Sequence, residues 1–259
     1  MAIDTSGKAV SAAVAEDGEL VSQFWLRHGK THAEALMPCV DAALSGLGIT
    51  MADIDVFAVI SGPGSFTGLR IGISTVKAFA YAAKKPAVGI PTLDALAKNL
   101  EGCDGALLCP IVEAKKGYVY QAIYRCGGIP GADGGNPGAD GGNPGAEGGK
   151  RPAAGGMVRI ADTLLVSDCE AVERLKSAFE NNRDINRTLF NGDAALASIE
   201  YFRDSLGGFS YGVANEMSLY QNAASAALLA CEAAAEGRLE NPETLTPQYY
   251  NAGYIKTEK

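Results

Sequence analysis

The stretch that most limits how this chain can fold is a glycine loop set between apolar segments. Val56–Ile60 is a short all-apolar run, as expected of a buried strand. It leads directly into Ser61-Gly-Pro-Gly-Ser-Phe-Thr-Gly68. A helix is expected from about Leu69 to Ala83, then a strand at Ala87–Ile90. Gly62, Gly64 and Gly68 permit positive φ and close backbone approach, and Pro63 stiffens the turn. Ser65 and Thr67 can cap the helix, whose first N–H groups and dipole favour an anion. Two readings stay open on these residues: a phosphate or nucleotide contact, or a tight strand-to-helix turn packed at an interface. The Lys-Ser/Thr ending of a Walker loop is absent.

The segments around the loop read as alternating strands and helices. Ala2-Ile3 leads into Asp4-Thr5-Ser6-Gly7. Lys8–Val14 and Leu20–Leu26 read as strands joined at Asp17-Gly18, a hairpin signal. Thr31-x-x-Glu34 is a capping box that opens a helix to about Leu44, with Gly46 beyond its end. Pro38 lies inside this helix and is expected to kink it. Thr92 is a candidate cap for a further helix. The second half is similar in outline. Strands are expected at Ala106–Val112, Gly117–Arg125, Met157–Ile160 and Thr188–Phe190. Ser167-x-x-Glu170 caps a helix to about Asn181, and an Ala-rich helix is expected over about Glu216–Glu236. The order in the first hundred residues is that of the ribonuclease-H-like half of actin-like proteins and sugar kinases. The expected fold class is therefore α/β: a two-lobed, duplicated actin-like (ASKHA) fold. Residues 1–100 would form one lobe, with the helix at 216–236 able to pack back on it, and residues 101–259 the other. In actin-like ATPases the Asp of a turn like Asp4-Thr5-Ser6 faces metal and phosphates. The same tripeptide also suits a simple capped turn.

One segment stands apart in composition. Residues 127–156 hold 13 of the 32 Gly and 4 of the 11 Pro, with GADGGNP at 131–137 and 138–144 and GAEGGKR at 145–151. It carries almost no large apolar side chain to offset its ordering entropy. It is expected to be a flexible surface insertion between two strands.

Charge and residue chemistry narrow the function. Lys+Arg 22 against Asp+Glu 30 gives a net charge of −8, and the basic runs are only pairs. That argues against independent nucleic-acid binding, which needs clustered cations. No apolar run approaches the roughly 18–20 residues of a membrane span. The N-terminus lacks the pattern of a signal peptide, so a cytoplasmic protein is expected. The six cysteines form no Cys-x-x-Cys pair and are expected to be reduced core thiols. His28 and His32 are the two histidines. They are four apart, but His28 precedes the helix and no third His exists. No metal site is expected, and neither Ser6 nor Ser65 has a hydrolase constellation or a Gly-x-Ser-x-Gly elbow.

Four stretches together resemble the bacterial TsaB family, also called YeaZ: AIDTS at 2–6, KTHAEALMP at 30–38, SGPGSFTGLRIGIS at 61–74 and GIPTLDALA at 89–97. The family usually shows Ser where Ala33 stands, and its first strand is a few residues longer. Glu113-Ala-Lys-Lys-Gly-Tyr-Val-Tyr120 is similar to a later family stretch, with Glu113 and Gly117 departing. Thr246-Pro-Gln-Tyr249-Tyr250 is similar to the family's terminus. The glycine repeat is a departure from the family's pattern.

The resemblance implies an actin-like fold and a non-catalytic scaffold or dimerisation subunit. Its partners would be a TsaD-like catalytic subunit and a TsaE-like ATPase, in the complex that forms threonylcarbamoyladenosine beside the anticodon (position 37) of tRNA. It implies a homodimer when alone, contact with tRNA only through the complex, and no membrane. An ATP-dependent kinase or transferase of the same fold is the alternative, with Asn191-Gly192-Asp193 a candidate second nucleotide loop. A glycopeptidase-like metallopeptidase is a third. No tightly bound cofactor is expected; a weak ATP or ADP site at or near the partner interface would use Asp4, Thr5, Ser6, Gly62, Gly64, Ser65, Thr67 and Gly68. The resemblance also places a pairing surface on the first lobe. Its two helices supply the candidates His32, Leu36, Met37, Val40, Arg70, Gly72, Ile73 and Val76, most of them apolar or small.

Overall fold

A computed structural model describes residues 1–27, 31–127, 156–185, 187–207 and 210–250. Five strands form the first sheet: β1 (Ala2–Asp4), β2 (Val10–Glu16), β3 (Glu19–Leu26), β4 (Phe57–Gly62) and β5 (Ala87–Pro91). Their order is β3-β2-β1-β4-β5, with β1 antiparallel to β2 and parallel to β4. Helix α1 (His32–Ser45) joins β3 to β4, and α2 (Phe66–Ala83) joins β4 to β5. A short helix, α3 (Thr92–Lys98), leads out of this lobe.

The second lobe repeats the plan. Its strands are β6 (Ala106–Lys115), β7 (Tyr118–Cys126), β8 (Met157–Ser167), β9 (Arg187–Asn191) and β10 (Ser210–Val213). Helices α4 (Asp168–Asn181) and α5 (Ala195–Ser205) sit between β8, β9 and β10. The order is β10-β9-β6-β7-β8, the same topology read from the other edge. The expected two-lobed, duplicated α/β fold is what the chain forms. Two further helices, α6 (Glu216–Leu219) and α7 (Ala223–Ala235), close the chain's architecture before a C-terminal strap.

Local chemistry explains the element boundaries. Asp17 and Gly18 both take positive φ, 51° and 82°, which matches the twist of the β2–β3 hairpin. Both capping boxes form: Thr31 with Glu34 at α1, and Ser167 with Glu170 at α4. Helix α1 continues through Pro38 as one element.

Several expectations are corrected. Helix α2 starts at Phe66 rather than Leu69, because Ser65 caps it by accepting from the Gly68 N–H at 3.2 Å. Thr67 falls in the first turn instead. Pro91, not Thr92, is the N-cap of α3, and the Thr92 hydroxyl donates to the Pro63 carbonyl at 2.6 Å. Strand β8 runs on to Ser167. The Ala-rich helix is two pieces, because Asn222 caps a fresh start at α7 through the Ser225 N–H. Cys39, Cys109 and Cys126 are buried and Cys103 and Cys231 half-buried. Cys169 is exposed, on the outer side of the first turn of α4, whose Ala171 is the buried member. His28 and all but the ends of the glycine-rich insertion lie outside the described residues.

Helix α3 lies between the two sheets, with Ala95 in the first lobe's core, and α7 returns from the second lobe to the first. Leu93, Leu96, Ala97 and Leu100 pack with Ala106, Leu108, Val112 and Tyr124 of the second sheet. Ala223, Ala226, Ala227 and Ala230 of α7 return to Ala2, Ala13, Ala58 and Ile60 of the first. Asn99 ties the crossing together. Its amide donates to the carbonyls of Tyr220 (2.9 Å) and Ser218 (3.4 Å). Its oxygen accepts from Asn222 Nδ2 at 3.1 Å and from the Ser225 hydroxyl. Beside it, Lys98 pairs with Glu232 of α7 at 2.7 Å. Asp94 of α3 bonds both the Tyr124 hydroxyl and Arg159. Among the described residues, no helix is long and apolar enough to cross a membrane.

Candidate functional site

The turn after β1 and the glycine loop after β4 lie against each other. The Ser65 N–H donates to the Ser6 carbonyl at 2.7 Å, and the Thr5 hydroxyl donates to the Gly68 carbonyl at 2.7 Å. A Cβ on Gly64 would lie 2.5 Å from the Ser6 carbonyl oxygen, and one on Gly72 would lie 2.5 Å from Thr5 Oγ1. A Cβ on Gly68 would come closer still to the Thr5 carbonyl oxygen. The glycines at 64, 68 and 72 therefore admit the chain's own first turn. Gly62 has φ +126°, and a Cβ there would lie 2.6 Å from the Gln248 carbonyl oxygen of the C-terminal strap. The Gln248 N–H in turn donates to the Ser61 carbonyl at 2.7 Å.

Asp4 sits beneath this contact and is fully buried. It accepts from the Ser6 N–H at 2.8 Å and the Ser6 hydroxyl at 2.7 Å. Burial pushes its carboxyl above the ordinary value, while the Ser6 hydrogen bonds and the nearby His32 pull the other way. His32 Nε2 lies 2.8 Å from the Gly7 carbonyl. A ring nitrogen on a carbonyl carries the proton, so this nitrogen is not a free metal ligand. Among the described residues, no group of three or more His, Cys, Asp or Glu is placed to hold a metal.

The residues named for phosphate contact are brought together, but they do not form an anion cradle. Asp4, Thr5 and Ser6 are buried, at 1%, 1% and 2% exposure. Carbonyl oxygens of Thr5 and Ser6 lie against the glycine faces, where a phosphate would need N–H donors. Ser65 and Thr67 are the exposed members of the set. Asn191-Gly192-Asp193 behaves alike in the second lobe. Gly192, at φ +97°, abuts the Ile111 carbonyl, and Asp193 accepts from the Glu113 N–H at 2.9 Å.

The interface candidates separate into two groups. Leu36, Val40, Ile73 and Val76 belong to the first lobe's own core with Ile3, Val10 and Val59. Gly72 is covered by Thr5. The expectation that these five face a partner is corrected: the sheet beneath α1 and α2 takes that side of both helices. Met37, 42% exposed, and Arg70 remain on the outer surface, and His32 is half-buried at its margin.

Two aromatic residues outside the candidate set join Arg70. Its guanidinium lies 3.9 Å from the centre of the Phe66 ring, and its Nε donates to the Tyr249 hydroxyl at 3.3 Å. The Phe66 and Tyr249 rings are 5.6 Å apart. The exposed Phe66 within a glycine loop was a signal in the sequence. Its pairing with Tyr249, 183 positions on, was not.

Comparison with known proteins adds similarities in sequence and fold to the geometry. Residues 27–131 match the family described as TsaD, tRNA N6-adenosine threonylcarbamoyltransferase. The chain is 36% identical over 126 residues to the Escherichia coli tRNA threonylcarbamoyladenosine biosynthesis protein TsaB, covering 48% of this chain and 54% of that protein. Bacillus subtilis TsaB is 32% identical over 125 residues, covering 48% and 54%. The chain thus spans about half the length of the curated relatives it matches. A solved structure, YeaZ from Pseudomonas aeruginosa, superposes with a TM-score of 0.69 at 22% identity, over 96% of this chain and 97% of that one. That likeness shows the fold.

Proposed function

We propose that the chain is a TsaB (YeaZ)-type protein, as its likeness to the curated TsaB proteins over about half their length supports, and that it is a non-catalytic scaffold subunit in the formation of threonylcarbamoyladenosine on tRNA. In this reading its partner is a TsaD-like catalytic subunit, joined by a TsaE-like ATPase. The chain pairs with itself when the partner is absent. The partner, rather than this acidic chain, contacts the tRNA.

One observation carries the non-catalytic part. The glycines that would admit a phosphate admit Thr5 and Ser6 instead, and set carbonyl oxygens there. No tightly bound cofactor belongs to this reading. A weak ATP or ADP contact would have to use the exposed Ser65–Thr67 end near the partner. The kinase, transferase and metallopeptidase alternatives are not favoured.

Reconstitution tests the reading. Purified chain, catalytic subunit and ATPase are mixed with unmodified tRNA, threonine, bicarbonate, ATP and the enzyme supplying the activated threonylcarbamoyl group. Modified nucleoside should form only with this chain present, and the chain alone should hydrolyse ATP at background rate. Full modification without the chain, or robust ATP hydrolysis by it alone, would refute the proposal.

A further inference from the structure

The C-terminal strap crosses the first lobe at the start of α2 and is fastened at several points. Leu245 is buried in the first lobe's core. Lys77 of α2 donates to the Glu243 carbonyl at 3.0 Å. Gln248 is held on Ser61, over a glycine whose side chain would exclude it. The ring of Tyr250 lies 6.2 Å from that of Tyr120 in the second lobe. Between these anchors Tyr249 stands outward beside Phe66 and Arg70. The two rings are 50% and 54% exposed.

Among the described residues Arg70 is a cation without a carboxylate. No acidic side chain among the described residues pairs with it, and α2 contains no Asp or Glu over its whole length. The chain as a whole is acidic, with a net charge of −8. An exposed Arg stacked on one aromatic ring and hydrogen-bonded to the hydroxyl of a second has the composition of an interface hot spot. Its planar guanidinium, pre-oriented by the rings, suits a carboxylate. In a two-fold self-pairing centred here, Arg70 would face Arg70 of the second copy, and like charges oppose that arrangement.

We propose that residues 245–250 are part of the docking surface, and that Phe66, Arg70 and Tyr249 form a platform for a carboxylate-bearing surface of the catalytic partner. This rests on the scaffold reading given above. The strap supplies one ring of the platform and fixes the other two side chains through it. The surface is therefore built from two segments far apart in the sequence and is incomplete without the strap.

The test uses full-length chain and the purified catalytic subunit, with affinity measured by interferometry at low and high salt. Variants are Tyr249→Ser, which removes one ring, and Arg70→Gln, which removes the charge. Circular dichroism and melting report the fold. Each variant should melt as wild type and bind the partner roughly tenfold more weakly or worse. Arg70→Gln should also flatten the salt dependence. Wild-type binding with both variants unchanged overturns the platform and leaves the scaffold reading standing. Loss of self-association alone, with partner affinity intact, overturns it too, by assigning the surface to a second copy. A wild-type chain that does not bind the catalytic subunit at all removes the scaffold reading, and the platform with it.

Discussion

Thr5 and Gly68 hold each other from both sides. The Thr5 hydroxyl donates to the Gly68 carbonyl at 2.7 Å, and the Thr5 carbonyl fills the space a side chain at position 68 would need. The obstruction is backbone, which cannot rotate away. Gly68→Ala must therefore push the first turn off α2, at a cost of about 3 kcal/mol or more. Urea denaturation of the two proteins measures it. A cost under about 1 kcal/mol would mean that the turn and the loop are not locked together.

Neighbouring residues on α1 should respond in opposite ways. Met37 is exposed and Leu36 is 2% exposed in the core. Met37→Glu should leave the melting curve unchanged and weaken association tenfold or more, since a charge on a contact surface is costly to desolvate. Leu36→Ala should cost about 2–5 kcal/mol in stability. Calorimetry and analytical ultracentrifugation separate the two effects. A Met37→Glu protein that associates normally would move the interface away from α1.

Asp4 should make stability depend on pH in an unusual direction for a carboxylate. Burial holds its pKa above 3.8 in the folded chain, so the native state keeps this proton to higher pH than the unfolded state. The unfolded chain binds fewer protons across that window, and the unfolding free energy falls as pH rises through it. Asp4→Asn keeps an acceptor for Ser6 and removes the titration. The variant's urea midpoint should therefore gain on wild type as pH rises from about 4. A constant difference across that range would show that Asp4 does not titrate differently on folding.

Shortening the glycine-rich insertion should leave the fold and partner binding intact. Cys126 and Met157, on either side of it, are cross-strand partners in the β7–β8 ladder. A short turn can join them, and loop-closure entropy varies only with the logarithm of length. Deleting residues 129–151 should change stability by about 1 kcal/mol or less and leave partner affinity unchanged. Both are read by melting and interferometry. Insoluble or non-binding protein would show that the segment makes contacts of its own.

Much of the fold was legible because its signals are local. Asp17-Gly18, the two capping boxes and the apolar run into the glycine loop each act within a few residues. The break before α7 was hidden in an Ala-rich stretch, where helix propensity runs unbroken and only Asn222 marks the new start. The site was less legible. Periodicity identifies an apolar face but not what covers it, so Leu36 and Met37 looked alike although the sheet takes one and solvent the other. The glycines were correctly read as places of close approach. What approaches them, Thr5, Ser6 and Gln248, is distant in sequence and emerges only when both ends of the chain meet the loop.

The return of α7 to the first lobe bears on how the protein is made. As the chain leaves the ribosome, the first sheet can pair its strands once Pro91 is out. The face that α7 covers stays bare until more than a hundred further residues have been synthesised. The last α-helix among the described residues completes the first lobe to form. A nascent chain therefore spends most of its synthesis with the alanine-lined side of its first sheet uncovered. An arrest or a premature stop within the second lobe would release a product that is unfinished at both ends.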